Sequence, residues 1–273
     1  MENAYHFMRK IILKLGGSII TKKESYPPKV NTKTLKRLAQ EIQQAWDPKQ
    51  DQLIVVHGAG CFGHIPAHQY GLINEKYHEK KAIGAQIIYQ GMKKLHGAVA
   101  KAFWKYDLPF VSFPPHACCS MNNKKLIEMS SSSIIKMTEY GMIPVLYGDA
   151  VLDQTTGIDI VSGDQIVCYL ASVWKPNLVA LGTDVDGVFE SDPKIQKNAK
   201  LIPEISSDNW EKVFPQLSGS THIDVTGGMA GKIQHLWKLA KEGTESCIYN
   251  ANKHTLLTKI LQNEKICATW IYE

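Results

Sequence analysis

The chain has 273 residues, 44% of them hydrophobic and 21% charged, and no apolar run approaches the roughly 18 residues that cross a bilayer. This argues against a membrane partner, and the polar segment Met1–Lys10, followed by a short apolar run that Lys14 interrupts, argues against a signal peptide. Six cysteines without a disulfide or metal spacing predict reduced thiols, and we expect a cytoplasmic location. Only Arg9 and Arg37 among 31 basic residues are arginine, so we expect no nucleic-acid partner, since those partners usually require guanidinium groups.

The first part of the chain predicts strands and helices in alternation. Lys10–Leu15 has the pattern of a buried strand and is followed by the glycine-rich segment Gly16–Ser18. Asn31 is expected to cap a helix, after which Leu53–Val56 predicts a second buried strand that ends in the glycine-rich segment His57–His64. Because a helix separates the two strands, we expect them to be parallel, with both glycine loops at the same carboxyl edge of the sheet.

A long helix is predicted from Asn74 to Lys105. Its apolar stripe consists of Ile83, Ile87, Ile88, Met92, Leu95 and Val99. Such a stripe is typical of a helix that packs on the core, and part of it could instead line a pocket for an apolar substrate.

The second part of the chain continues the alternation. Predicted strands are Phe110–Phe113, Ile143–Leu146, Ala150–Leu152, Ile158–Val161, Leu178–Leu181, Cys247–Tyr249 and Ile266–Ile271; predicted helices are Ser130–Tyr140, Ile166–Val173 and the one that opens at Thr226–Lys232. We expect the hairpin of Ala150–Leu152 and Ile158–Val161 to extend the main sheet. The polar segment Glu190–Glu211 is interpreted as an excursion between two lobes of a single domain.

Phosphate chemistry is indicated by the glycine loops and by Lys14. Successive amides of a glycine-rich loop form a concave anion site, and a lysine within a buried strand is costly unless its ammonium reaches an anion at the strand end. Phosphoryl transfer requires two phosphate-bearing partners to be positioned and their charge neutralised by lysines, amides and a metal ion. Two glycine loops, several lysines and His64 match that requirement.

Three other motif interpretations fit less well. Gly231-Lys232 lacks the preceding glycine and the following hydroxyl residue of a Walker loop. Gly58-x-Gly60-x-x-Gly63 matches the dinucleotide fingerprint but no acid ends the next strand. His64-x-x-x-His68 has zinc-ligand spacing without a third ligand, so no protein metal site is predicted.

Five motifs in order along nearly the whole chain resemble the amino acid kinase superfamily, and within it the isopentenyl phosphate kinases. They are Lys14-Leu-Gly-Gly-Ser18, His57-Gly-Ala-Gly-Cys-Phe-Gly-His64, Ser162-Gly-Asp164, Thr183-Asp-Val-Asp-Gly187, and Asp224-Val-Thr-Gly-Gly-Met229 with Lys232. His64, after the second glycine loop, is the residue that points to the isopentenyl phosphate kinases.

The resemblance implies an α/β fold, a three-layer αβα sandwich with a mostly parallel central sheet. It also implies a homodimer and transfer of the γ-phosphoryl group of ATP, with Mg²⁺, to the small molecule isopentenyl phosphate. The single domain, 1–273, would bind the acceptor phosphate in an N-terminal lobe of about 1–175 and the nucleotide in a C-terminal lobe of about 176–273.

The resemblance also implies a role for each matching residue. The nucleotide site comprises Lys14, Leu15, Gly16, Gly17, Ser18, Gly60, Asp184, Gly228 and Lys232, and the acceptor-phosphate site comprises Ala59, Gly63, His64 and Gly163. The expected catalytic residues are Lys14, Lys23, His64 and Asp164: Lys23 matches the transition-state lysine, and Asp164 the acid that orients the lysines.

The acceptor leaves an alternative open. A sister kinase acting on acetylglutamate, a nucleoside monophosphate, carbamate or a phosphonate antibiotic would share the ATP residues. Ala59 and Cys61 stand where many members have glycine and serine, and Cys267-Ala268-Thr269 replaces the usual Gly-Thr. A phosphate monoester is mostly dianionic at pH 7, so its oxygen needs no general base, and His64 is expected to bind the acceptor phosphate by a hydrogen bond.

Overall fold

The computed structural model describes residues 8–22, 25, 27–73, 78–191, 193, 195–196, 198–218 and 228–273. The strands are β1 (Arg9–Leu15), β2 (Asp51–His57), β3 (Phe110–Ser112), β4 (Cys119–Asn122), β5 (Lys125–Met129), β6 (Ile143–Tyr147), β7 (Asp149–Asp153), β8 (Gly157–Val161), β9 (Leu178–Thr183), β10 (Val188–Phe189), β11 (Leu201–Ile202), β12 (Glu204–Ile205), β13 (Glu245–Asn250) and β14 (Thr269–Ile271). The helices are α1 (Gly17–Ile20), α2 (Thr32–Ala45), α3 (Cys61–Gln69), α4 (Glu79–Lys105), α5 (Pro115–Cys118), α6 (Ser131–Glu139), α7 (Gly163–Trp174), α8 (Trp210–Ser218), α9 (Gly228–Ala240) and α10 (Leu256–Leu261).

The central sheet contains eight strands in the order β12-β14-β13-β9-β1-β2-β6-β3. Within it β13 and β14 pair antiparallel, whereas the other neighbours pair parallel. Parallel neighbours require crossover connections, and the helices between β1 and β2 and between β2 and β6 supply them. The predicted α/β class with a mostly parallel central sheet is therefore confirmed.

Helices cover both faces of this sheet because the central strands are buried on both faces. Along β1, Ile11, Leu13 and Leu15 join the apolar cluster that also contains residues of α2, α4 and α10. Ile12 joins the opposite cluster, together with residues of α6, α7, α8 and α9. Lys14 alternates with Leu13 and Leu15, so it lies on the face covered by α7 and α9.

Two helix starts follow the signals in the sequence. The side chain of Asn31 accepts a hydrogen bond from the amide of Thr34 at the start of α2. At the start of α7, Ser162 accepts from the amide of Gln165 while the Gln165 side chain accepts from the amide of Ser162. This reciprocal capping box satisfies two amides that the helix cannot pair internally.

The prediction that the hairpin after β6 extends the central sheet is wrong. The hairpin forms, as β7 and β8, but it belongs to a separate four-stranded sheet of order β5-β4-β7-β8. Both edges of β6 are already occupied, by β2 and by β3, so no edge there can accept another strand. The chain leaves the central sheet at Gly148, whose amide donates to the carbonyl oxygen of His57 over 3.2 Å.

Other predicted boundaries are partly wrong. Helix α4 begins at Glu79 and not at Asn74, and residues 74–77 lie outside the described part of the chain. Ile83 and Ile87 are exposed, although they were expected in the apolar stripe. The buried face of α4 consists instead of Gly84 and Ala85 in its first turns, followed by Ile88, Met92, Leu95 and Val99. The last strand is confined to Thr269–Ile271.

The segment interpreted as an excursion contributes to the central sheet. Its strand β12 pairs with β14, whereas β10 and β11 form a short separate ribbon. All six cysteines lie in the described residues and are free thiols there. Within the described ranges, the helices lack the combination of length and apolar character that a membrane span needs.

Candidate active site

Four glycine-bearing loops follow one another along the carboxyl edge of the central sheet. They leave β9, β1, β2 and β6, which are adjacent strands. Backbone hydrogen bonds join the first three, from the amide of Gly16 to the carbonyl of Gly182 over 3.0 Å and from the amide of Gly58 to the carbonyl of Leu15 over 2.9 Å. The strand order thus brings the four loops together at one edge of the sheet, the edge where parallel α/β sheets bind their ligands.

The glycine loops that follow β1 and β2 touch through their backbones. A Cβ atom on Gly17 would lie 2.4 Å from the amide nitrogen of Gly60, and one on Gly58 would lie 2.5 Å from the amide nitrogen of Gly17. Real Cβ atoms do not approach so closely, so this contact requires glycine. Gly60 also has a φ of +51°, which favours glycine. The prediction that the loops lie side by side is confirmed.

Amides at this contact are available to bind an anion. Among the described residues, no acceptor is found for the backbone N–H groups of Gly17, Ser18, Ala59, Gly60 and Cys61. Cys61 is the first residue of α3, so its amide also belongs to the positive end of a helix. Clustered amides of this kind attract phosphate oxygens without any net positive charge.

An acid between two lysines lies beside the amides. The ammonium of Lys14 is 2.6 Å from one carboxylate oxygen of Asp164, and the ammonium of Lys232 is 3.8 Å from the other. The three side chains come from β1, α7 and α9. Asp164 is about one-third exposed and the two lysines less, so the group is open to the solvent edge without being fully solvated.

Burial and mutual attraction act in opposite directions on these charges. Burial lowers the pKa of Lys14, and the like charge of Lys232 lowers it further, although Asp164 partly restores it. For Asp164, burial would raise the pKa, but the nearby ammonium groups of Lys14 and Lys232 outweigh it and the pKa falls. Asp164 is therefore ionised at neutral pH and holds two cations together near the amide cluster.

The first turn of α7 fits closely against β1 and β2. Gly163, between the cap residue Ser162 and Asp164, would place a Cβ 3.4 Å from the Cε atom of Lys14 and 3.5 Å from a methyl group of Val56. This close approach of α7 explains how the carboxylate of Asp164 reaches the end of β1.

His64 lies on α3 with its side chain exposed. Its amide donates to the carbonyl of Gly60 over 3.1 Å, in the first turn of the helix. Gly63 is required here, because a Cβ on it would lie 2.5 Å from the Cβ of Ala59. His68, one turn later, is also exposed. In the part of the chain that the structure describes, no three His, Cys, Asp or Glu side chains are grouped as metal ligands.

The two aspartates after β9 differ in their surroundings. The carboxylate of Asp184 accepts a hydrogen bond from the hydroxyl of Ser18 over 3.5 Å, which links this loop to the loop after β1. Asp186 is held by Lys253 at 2.8 Å and by the side-chain amide of Asn250 at 2.9 Å, and the bond to Lys253 chiefly lowers its pKa. Asp184 is thus the acid nearer the amide cluster.

Comparisons with known proteins place the chain in a family. Residues 9–250 match the model of the amino acid kinase family. The chain belongs to the amino acid kinase family. Within it, the chain is 38% identical to the isopentenyl phosphate kinase of Methanothermobacter thermautotrophicus, covering 96% of this chain and 98% of that protein, and 36% identical to that of Methanocaldococcus jannaschii, covering 93% and 95%. A solved isopentenyl phosphate kinase structure superposes with a TM-score of 0.84 at 35% identity, covering 96% of this chain and 99% of that one.

This amino acid kinase therefore brings together most of the residues expected at its site. The glycine loops, Lys14, Asp164, Lys232, His64 and Asp184 lie along one edge. Leu15 is buried, as the last residue of β1, and contributes its carbonyl to the loop contact. Gly228 is the first residue of α9, the helix that carries Lys232. Lys23 lies outside the described residues.

Two features of this kinase's site were not expected from the sequence. Thr21 donates its hydroxyl hydrogen to the carbonyl of Gly17 over 2.7 Å, and a Cβ on Gly60 would lie 2.3 Å from that hydroxyl oxygen. His57 is fully buried and hydrogen-bonded to His96, on the core side of the loop that carries the amides. A histidine at the end of an apolar strand could have indicated a buried polar role for His57. Its partner His96 lies 39 residues further along the chain, so the pairing itself has no local signal.

Proposed function

We propose that the chain transfers the γ-phosphoryl group of ATP directly to the phosphate of isopentenyl phosphate, which gives isopentenyl diphosphate. The observation that carries the proposal is the backbone contact of Gly17 with Gly60, which joins two amide clusters into one site. The carboxylate of Asp164 and the ammonium groups of Lys14 and Lys232 lie beside it. Such a site can hold two phosphate groups within reach of each other. The similarity to isopentenyl phosphate kinases over nearly the whole chain supports isopentenyl phosphate as the acceptor.

The donor phosphates fit the loop after β1 and its lysines. In the proposal, the amides of Gly17, Ser18 and Gly60 bind phosphate oxygens of ATP, while Gly16, whose amide donates to the carbonyl of Gly182, shapes the loop. Lys14 and Lys232 then neutralise the negative charge that spreads over the transferred group in the loose transition state. Asp164 keeps both ammonium groups aimed at this place, because its two carboxylate oxygens contact one lysine each. Asp184 and Gly228 are proposed nucleotide contacts.

The acceptor phosphate fits the loop after β2. We assign it to the amides of Ala59 and Gly163 and to the imidazole of His64, whose side chain is exposed at the start of α3. The amide of Gly63 donates to the carbonyl of Gly60, so Gly63 contributes to this part of the site by its small size. A phosphate monoester has a second pKa near 6, so its attacking oxygen is already ionised at pH 7. His64 therefore donates a hydrogen bond to the acceptor and removes no proton. The absence of a general base from the proposed mechanism follows from the acceptor's own chemistry.

Mg²⁺ fits this site as an ion carried by the nucleotide. It prefers octahedral oxygen coordination and keeps several waters while it binds phosphates. The described residues offer no group of three metal-ligating side chains, and Asp164 is engaged by two lysines. We therefore propose that Mg²⁺ would be held mostly by phosphate oxygens and water, and that it would supply further neutralisation of the phosphate charge.

Four expectations from the sequence remain predictions. They are the role of Lys23 as transition-state lysine, the division into an acceptor lobe of about 1–175 and a nucleotide lobe of about 176–273, the homodimer, and the cytoplasmic location. A pocket for an apolar substrate tail, lined by part of the apolar stripe of α4, is a further prediction; Ile83 and Ile87 of that stripe are exposed.

The decisive experiment is an acceptor panel. The protein is incubated with ATP, magnesium and one acceptor at a time: isopentenyl phosphate, longer prenyl phosphates, nucleoside monophosphates, acetylglutamate, carbamate and a phosphonate antibiotic. Mass spectrometry should find isopentenyl diphosphate and ADP in equal amounts. A Lys14→Met protein, prepared identically, controls for contaminating kinases. Turnover of a carboxylate or nucleoside monophosphate, with none of isopentenyl phosphate, would assign the chain to a sister activity.

A further inference from the structure

A chain of three hydrogen bonds runs beneath the second glycine loop. The Nδ1 atom of His57 lies 3.1 Å from the carbonyl oxygen of Gly58, and its Nε2 atom lies 3.0 Å from the Nδ1 atom of His96. The Nε2 atom of His96 lies 2.7 Å from the hydroxyl of Ser112. His57 is fully buried, His96 is almost so, and Ser112 is exposed at the end of β3. These three hydrogen bonds thus connect the second glycine loop, through the core, to the exposed Ser112.

The partners determine where the protons are. A carbonyl oxygen only accepts, so the Nδ1 atom of His57 carries a hydrogen and donates it to Gly58. Burial, and the proximity of His96, lower the pKa of His57 to about 3, and burial lowers that of His96 to about 4. Both rings are then neutral at pH 7, so His96 donates to the Nε2 atom of His57, and the Ser112 hydroxyl donates to His96.

The rings have little freedom to turn away from these partners. The ring of His57 stacks on that of Tyr147 with centroids 5.2 Å apart, and the ring of His96 lies 4.5 Å from the same tyrosine and 5.1 Å from Phe110. A buried polar group is costly unless its hydrogen bonds are made. The core therefore holds His57 in the one orientation that reaches the Gly58 carbonyl.

Peptide planarity carries this constraint into the site. The peptide between Gly58 and Ala59 is planar and trans, so its C=O and N–H groups point in opposite directions. Since the carbonyl points at the buried ring of His57, the N–H of Ala59 points away from the core. The other side of Gly58 is fixed too, because its amide donates to the carbonyl of Leu15.

We propose that His57, held by His96 and Ser112, is a positioning residue that aims the amide of Ala59 at the acceptor phosphate. The proposal rests on the proposed function, in which Ala59 belongs to the acceptor site. Without the bond from His57, the Gly58–Ala59 peptide can rotate, because glycine tolerates many backbone conformations. The acceptor would lose an aligned donor, whereas ATP, bound mainly by the loop after β1, would not.

Two substitutions of His57 separate positioning from packing. In His57→Asn the side-chain amide can still donate from nearly the Nδ1 position, whereas His57→Leu fills similar space without a donor. Both lose the link to His96. We expect the KM for isopentenyl phosphate to rise about tenfold or more in His57→Leu and to stay within about threefold in His57→Asn, with the KM for ATP within about twofold in both. Equal acceptor KM values in the two variants would overturn the proposal.

A second measurement does not depend on turnover. Imidazole nitrogen NMR of uniformly ¹⁵N-labelled protein distinguishes the two neutral tautomers, and the His57→Asn spectrum identifies the signals of His57. We expect the Nδ1–H tautomer at pH 7. An Nε2–H tautomer, or a charged ring, would refute the hydrogen-bond chain whether or not isopentenyl phosphate is a substrate. Failure of the acceptor panel together with the expected tautomer would instead refute only the proposed function.

Discussion

The carboxylate of Asp164 lies 2.6 Å from the ammonium of Lys14, although the two residues are far apart in the chain. A lysine in the middle of a buried strand and an acid in the first turn of a helix thereby become one charged pair at the edge of the sheet. The same carboxylate also attracts Lys232. The arrangement keeps two ammonium groups close together despite their repulsion, which is the condition for neutralising a highly charged transition state.

Asp164→Asn should therefore reduce turnover more than stability. The amide keeps the shape of the side chain but no longer offsets the repulsion between Lys14 and Lys232, so both ammonium groups lose their fixed direction. We expect kcat to fall by about 100-fold or more, with a smaller change in the KM for ATP. Steady-state kinetics measure both parameters. Glu139→Gln, which removes an exposed acid paired with Lys136, is the control and should leave kcat unchanged. A kcat for Asp164→Asn within threefold of wild type would contradict the role of the pair.

His64→Ala should lose most of its turnover while ATP still binds. His64 is assigned to the acceptor phosphate alone, so its loss removes one charge-compatible donor from that side of the site. We expect kcat/KM for isopentenyl phosphate to fall about 100-fold, with the Kd of ATP, measured by calorimetry, within about twofold. His68→Ala is a matched control, because His68 is exposed one turn later on the same helix. Comparable kcat/KM values in wild type and His64→Ala would end the assignment.

Much of this site could be predicted from the sequence because its signals are local. Glycine next to a buried strand marks a turn, and Lys14 in an apolar strand is conspicuous without any partner in view. Parallel order then follows from the intervening helix, and it places the loops on one edge. The contact of Gly17 with Gly60 thus follows from the order of the strands, and the alternation of strands and helices in the sequence predicts that order.

Other features could not be predicted, because they depend on long-range packing. Nothing within the hairpin β7–β8 says that both edges of β6 are already occupied. The pairing of His57 with His96 joins β2 to α4 across the core, and no spacing encodes it. Ile83 and Ile87 continue an apolar pattern on α4 but face outward, since periodicity does not decide how wide the covered face is.

Gly17→Ala should disrupt the contact of the two loops. The added Cβ would lie 2.4 Å from the backbone nitrogen of Gly60, and backbone cannot move aside as a flexible side chain can. We expect ATP affinity to fall at least about tenfold and the free energy of unfolding to fall by about 1–3 kcal/mol. Gly97→Ala, in the exposed middle of α4, has open space around its Cβ and should raise stability by about 0.5–1 kcal/mol. Calorimetry and urea unfolding measure the two quantities, and unchanged ATP affinity in Gly17→Ala would contradict a close-packed site.

The buried histidines should make the protein less stable in mild acid. His57 has a pKa of about 3 in the folded chain and about 6.5 when unfolded, so between these values the unfolded state binds more protons. Stability is therefore complete above about pH 6.5 and falls as the pH drops towards 3. From pH 7 to pH 5, His57 alone should cost about 2 kcal/mol of unfolding free energy. Urea unfolding at both values measures the loss, which His57→Asn should reduce by that amount. His68→Ala, which removes an exposed imidazole, should match the wild type. An identical pH dependence in His57→Asn and wild type would mean that His57 is not held neutral by the core.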